Sequence, residues 1–150
     1  MLRLGVPVGL AVDGSASNDG SNLLAEMRAA YLLHRLNASA EAPTAYEALK
    51  LAALGGARLL GRDDDLGSIE VGKAADLFMI DVDRLEYAGA RFDPKSLPAT
   101  VGVSRPVDYT IVNGRIVVKS GQLCRVDERA AGQEAEKWAR ALVLGTRGQP

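Results

Sequence analysis

A chain of 150 residues is long enough to build one domain with a buried core. Apolar residues make up 47% and charged residues 25%, and 18 basic against 19 acidic residues leave a net charge of −1. That balance excludes a basic footprint for nucleic acid or an anionic membrane, and no apolar run approaches the ~20 residues that span a bilayer.

Three regions follow one another. In residues 1–62, Val8–Val12 is a continuous apolar run, the pattern of a strand covered on both faces. The polar loop 13–22 leads into "LLAEMRAAYLLHR", where Leu23, Met27, Ala30, Tyr31 and His34 recur at helical spacing. Asp19, Ser21 and Asn22 are all candidate N-caps. After the loop "NASAEAP", Thr44 and Glu47 have the spacing of a capping box and open a second helix towards Leu60. Gly61 suits its C-terminal stop. Gly55 and Gly56 lie inside that helix, each at a cost of ~1 kcal/mol relative to alanine, which predicts close packing on another element.

Residues 63–124 read as β structure. "LGSIEVGKAADLFMID" predicts a short strand, a Gly-Lys turn and an apolar strand at Leu77–Ile80. "YAGARFDPKSLPA" reads as a loop broken by Pro94 and Pro98. In "VDYTIVNGRIVVKSGQL", Val107, Tyr109 and Ile111 alternate, Asn113-Gly114 is the favoured two-residue type I′ turn, and Ile116 and Val118 alternate on the return. Residues 125–150 predict one helix from Asp127. Its sparse apolar stripe includes Trp138 and Leu142 and suits docking, and its end "GTRGQP" is expected to fray.

A strand buried on both faces needs parallel neighbours, and none precedes Val8. Residues 1–62 therefore read as the tail of a larger α/β domain. The opening "MLRLGVPVGL" is too short and glycine-rich for a signal peptide. The lone cysteine, Cys124, excludes an intramolecular disulfide and fits a reducing, cytoplasmic setting. The lone histidine, His34, excludes a histidine-rich metal site built by this chain alone.

The chemistry concentrates in "VGLAVDGSASNDG". Asp13, Ser15, Ser17 and Asp19 have the alternation of a calcium loop, but the places that need glycine and a bidentate glutamate hold Asn18 and Leu24. No G-x-S-x-G occurs there, which excludes a nucleophile elbow. Two readings remain open from spacing alone. Asp13 caps a turn before the helix, or it is a carboxylate presented at the C-terminal end of a barrel strand, where (β/α)₈ active sites sit.

"VGLAVDGSASNDGSNLLAEMRAAYLLHR" resembles the eighth barrel strand and following helix of the amidohydrolase superfamily. "AYEALKLAALGGARLLGR" is similar to the next helix, "LGSIEVGKAADLFMIDVD" to the strand pair returning into a small β-sandwich, and "VDYTIVNGRIVVKSGQL" to its last hairpin. The "DGSASND" loop and "YAGARFDP" are similar to the branch of 8-oxoguanine deaminase and hydroxy-atrazine aminohydrolase. The resemblance implies an α/β fold: the C-terminal part of a TIM-like metallo-hydrolase barrel, with its last strand and helices, plus part of a β-sandwich. It implies a fragment of a metal-dependent aminohydrolase that releases ammonia from a purine-like, cytosine-type or triazine ring.

By that resemblance, Asp13 binds a divalent metal (zinc, or another such as Fe2+) or its water and takes the water's proton, while Ser17 and Asn18 line the substrate pocket. The partners implied are a small heterocyclic substrate and, in the complete protein, further copies of the same chain. The family's His-x-His, its other two histidines and its proton-handling glutamate are absent here. The chain alone is therefore expected to be inactive. His34 reads as a packing or surface residue and Cys124 as an inert strand-end residue. The alternatives are a non-catalytic remnant or subunit that binds a partner chain, and a cyclic-amide hydrolase of the same superfamily.

Overall fold

The computed structural model describes residues 1–18, 20–38 and 42–145. Asp19 as cap or ligand, most of the "GTRGQP" end and the middle of the "NASAEAP" loop lie outside them.

The first helix, α1 (Leu23–Ala38), starts at Asn22, whose Oδ1 accepts from the N–H groups of Leu24 at 3.1 Å and Ala25 at 3.2 Å. The expected capping box is present. The Glu47 N–H donates to Thr44 Oγ1 at 3.2 Å, and the Thr44 N–H donates to Glu47 Oε2 at 2.7 Å, opening α2 (Ala45–Lys50). The helical path continues through a π-helical stretch, Leu51–Gly55, into α3 (Gly56–Leu59). It stops at Gly61, at φ 63°, in a Schellman arrangement: the Arg62 N–H reaches the Ala57 carbonyl at 2.9 Å, and the Gly61 N–H reaches Arg58 at 3.0 Å.

The run Val8–Val12 is not a strand in this structure. A parallel strand exists only through a ladder with its neighbours, and among the described residues none runs beside it. It lies instead on the helical path, where the Leu10 N–H donates to the Leu51 carbonyl at 3.3 Å within the π-helical stretch. The contact explains two glycines. A Cβ on Gly55 would fall 2.4 Å from the Val8 carbonyl oxygen, and one on Gly9 would fall 2.9 Å from the Gly56 nitrogen. A Cβ on Gly56 would meet nothing within 4 Å, so of the two helical glycines close packing requires only Gly55.

The stretch read as a proline-broken loop contains α4 (Leu97–Thr100). Pro98 stands in the first turn, where a missing N–H costs nothing, so it starts this helix rather than breaking it. The helix completes the core: Met27 of α1, Ala45 and Ala48 of α2 and Ala99 of α4 are buried together, with Leu10, Leu24 and Tyr31 packed around them.

The strands form one antiparallel sheet in the order β1-β2-β3-β4: β1 (Leu77–Met79), β2 (Tyr109–Val112), β3 (Arg115–Lys119) and β4 (Gln122–Leu123). The predicted Asn113-Gly114 turn is type I′, at φ 47° and 76°, with Val112 opposite Arg115. A second two-residue turn of the same hand, Ser120-Gly121 at φ 52° and 76°, joins β3 to β4. The short strand expected in "LGSIEV" is a run of turns and bends, and Ile69 and Val71 are exposed. The last helix, α5 (Glu128–Leu144), is capped by Asp127, which accepts from the Ala130 N–H at 2.9 Å. Its stripe, with Trp138 and Leu142, faces solvent in this chain.

Candidate functional site

The loop after residue 12 is organised around Gly14. Asp13 adopts the left-handed conformation, at φ 63°, which costs most L-residues about 1–2 kcal/mol and which Asp tolerates better than most. Its carboxylate is exposed, and Oδ1 accepts the Gly14 N–H at 2.8 Å. The Gly14 carbonyl accepts from the N–H groups of Ser17 and Asn18, each at 2.9 Å, and from Ser17 Oγ at 3.3 Å. One tight turn therefore brings the three predicted site residues, Asp13, Ser17 and Asn18, onto one loop.

Their side chains are held differently. Ser17 is exposed, and the long bond to Gly14 leaves its hydroxyl available on the open side. Asn18 is half-buried. Its Nδ2 donates to Glu26 Oε1 at 2.7 Å, and its Oδ1 accepts the Gly20 N–H at 3.1 Å. One amide N–H and one lone pair remain for another partner. Glu26 was absent from the sequence reading, although an acidic residue in the first turn of a helix that follows a polar loop was the available signal.

The calcium arrangement does not form among the described residues. Ser15 Oγ lies 3.2 Å from Ser21 Oγ, and the Ser17 hydroxyl turns to Gly14, so neither converges on Asp13. His34 and Cys124 are both exposed and far along the chain from this loop, on α1 and just after β4. Among the described residues, no group of three or more His, Cys, Asp or Glu side chains could hold a metal ion. A catalytic zinc needs about three protein ligands, so this chain does not by itself fit one, and Asp13 could supply a single oxygen.

A cavity of about 800 Å3 lies elsewhere: Val6, Val8, Glu47, Leu51, Gly55 and Arg58 are among its walls. It opens at the start of the 8–12 segment, whereas Asp13 stands at its end. Barrel chemistry belongs to the carboxyl ends of strands, so position and chemistry outweigh size here. A smaller cleft of about 450 Å3 adjoins the Asp13 loop, between Gly20–Leu24 and the stretch from Ser104 to Val107.

An apolar segment that ends in a carboxylate loop, a helix capped directly after that loop and a following antiparallel sheet match a known enzyme class. The family model for the amidohydrolase family matches residues 1–117, and the chain belongs to that family. It is 47% identical, over 97% of its own length, to hydroxydechloroatrazine ethylaminohydrolase of Pseudomonas sp. (strain ADP). It is 41% identical, over 94% of its length, to 8-oxoguanine deaminase of Pseudomonas aeruginosa. The crystal structure of an adenosine deaminase from Xanthomonas campestris with bound zinc superposes on 96% of the chain with a TM-score of 0.88 and 32% identity. The chain spans 31% of each of the two relatives and 33% of the crystallised protein, about a third of their length. The fold is thus part of an amidohydrolase barrel with its accompanying sheet. No helix among the described residues is long and apolar enough to cross a membrane.

Proposed function

We propose that this chain is the C-terminal part of an aminohydrolase that removes an amino group from a purine-like or triazine ring. In the reaction, water adds to the ring carbon, the C–N bond breaks, and ammonia leaves. The observation that carries the reading is Asp13: an exposed carboxylate fixed in a left-handed conformation at the end of the 8–12 segment. A backbone held in that region by its surroundings is a common mark of a functional position. Asp13 takes the proton of the attacking water and returns it to the departing amine, the work of a general base and acid. The Gly14 N–H keeps one carboxylate oxygen in place and leaves the other to face the reactants. Ser17 meets a ring nitrogen or carbonyl with its hydroxyl, and Asn18 can offer its remaining N–H.

The zinc in the crystallised relative supports a divalent metal in the complete enzyme. This chain offers that metal one carboxylate, and its other ligands belong to the remainder of a barrel. Identity to the triazine and 8-oxoguanine enzymes favours exocyclic deamination over opening of a cyclic amide.

The test joins this chain to the first two thirds of the Pseudomonas sp. (strain ADP) relative, in place of that protein's own C-terminal third. Ethylamine release from its hydroxylated triazine and ammonia release from 8-oxoguanine are then followed. We expect turnover that D13N lowers by about 10²–10⁴-fold. A D13N enzyme as active as its parent, or a folded, metal-loaded chimera with no turnover on either ring, overturns the reading.

A further inference from the structure

We infer that Glu26 is a positioning residue for the Asp13 carboxylate, acting through Asn18. The inference rests on the role proposed for Asp13 and names what holds it in place. Three hydrogen bonds lead from α1 to the carboxylate. Glu26 Oε1 accepts from Asn18 Nδ2 at 2.7 Å, the Asn18 N–H donates to the Gly14 carbonyl at 2.9 Å, and the Gly14 N–H donates to Asp13 Oδ1 at 2.8 Å. Both Glu26 and Asn18 are half-buried, whereas Asp13 and Ser17 are exposed. The tether therefore reaches the open end of the loop from its sheltered end.

The chemistry of the pair suits a fixed support. A bond from an amide N–H to an ionised carboxylate is charge-assisted and stronger than one between neutral groups. Glu26 stands in the first turn of α1, where the helix dipole favours negative charge. Met27, the next residue, is fully buried, so the backbone that carries Glu26 is anchored in the core. Asp13 is a non-glycine residue at positive φ, a conformation that needs its surroundings to hold it. With Glu26 gone, Asn18 loses its partner on α1 and the turn at Gly14 can relax, taking the carboxylate with it.

A misplaced catalytic group slows the chemical step, so the effect falls on kcat more than on KM. In the chimeric enzyme, E26A is expected to lower kcat by about 10- to 100-fold, with a smaller rise in KM because Ser17 and Asn18 share the loop. E26Q keeps an oxygen for Asn18 Nδ2 and is expected to restore most of kcat. Amide hydrogen exchange on the 150-residue chain provides a readout without turnover. The Gly14, Ser17, Asn18 and Gly20 amides should exchange faster in E26A, while the hairpin from Tyr109 to Lys119 is unchanged. A rise in KM with kcat intact, an E26Q enzyme as slow as E26A, or loop amides that exchange at the parent rate would each overturn the inference. A chimera with no turnover even before mutation would count against the proposed reaction. The exchange rates alone would then decide whether Glu26 holds the loop.

Discussion

In the sheet, two of the three strand pairings are made by local turns: β2 passes to β3 through Asn113-Gly114, and β3 to β4 through Ser120-Gly121. In the helical layer, the contacts that matter are distant in sequence, with Met27 against Ala48 and Ala99. Helix packs on helix, and strand pairs with strand. Because α4 lies between β1 and β2 in the chain, three connections join the layers: residues 60–76, 80–96 and 101–108. The difference shows where each part obtains its stability. The sheet relies on turn geometry and backbone bonds and leaves Phe78, Met79, Val112 and Ile116 about half exposed. The helical layer relies on burial, which dominates folding free energy.

The sharpest way to break this comparison is Met27→Ala. The side chain is fully buried at the meeting of three helices, so its loss should cost about 3 kcal/mol. Urea denaturation followed by helix signal should show the loss, while exchange protection of the hairpin from Tyr109 to Lys119 stays as before. Equal loss of protection in the sheet would mean that the two layers unfold as one unit.

The first of these connections comes next. Lys73 is nearly buried, and its ammonium donates to the Asp63 carbonyl at 2.6 Å and to Ser68 Oγ at 2.7 Å, with Glu70 3.5 Å away. It pins the loop from inside. Beyond it, the Asn113 N–H donates to Asp76 Oδ1 at 2.6 Å, and the Gly114 N–H donates to the Ala75 carbonyl at 3.1 Å. Lys73→Met keeps the stem but removes the donor to the half-buried Asp63 carbonyl and Ser68 hydroxyl, which should cost about 1 kcal/mol. Limited proteolysis should then cut between Arg62 and Asp76 first. Resistance equal to that of the parent would show that the loop is held by its backbone turns alone.

How far the fold and site were legible follows the same division. Asn113-Gly114, Thr44 with Glu47, and Gly61 were readable because each is decided within about four residues, by φ preference or by a side chain reaching the next turn. Val8–Val12 reads as a strand because an apolar run states a wish for neighbours, and no ladder forms because none of those neighbours is among the described residues. Pro98 was misread because proline breaks a helix or begins one according to where the helix starts, and burial of Ala99 against α1 decides that. At the site, spacing left Asp13 with two meanings, and likeness to a family was needed to favour one. Glu26 stayed hidden because its link to Asn18 is a side-chain contact across a loop, with no period to show it.

Glu47 offers a finer test, because it places a locally decided feature inside the layer that depends on distant contacts. Its carboxylate accepts the Thr44 N–H, and that bond, aided by the Thr44 hydroxyl and the Lys50 charge, holds its pKa below the ordinary carboxylate value. A pKa lowered on folding means that the folded state favours the ionised form. The contribution is therefore complete above the ordinary carboxylate range, near pH 4, and is lost as pH falls through the lower folded value. Glu47→Ala should cost about 0.5–1 kcal/mol at pH 7, and the gap to the parent chain should close on acidification. Because Glu47 is exposed, added salt should shrink only the part due to Lys50. Parallel stability curves for parent and variant from pH 7 to pH 3 would show that α2 draws nothing from its cap and is held by the burial of Ala45 and Ala48 alone.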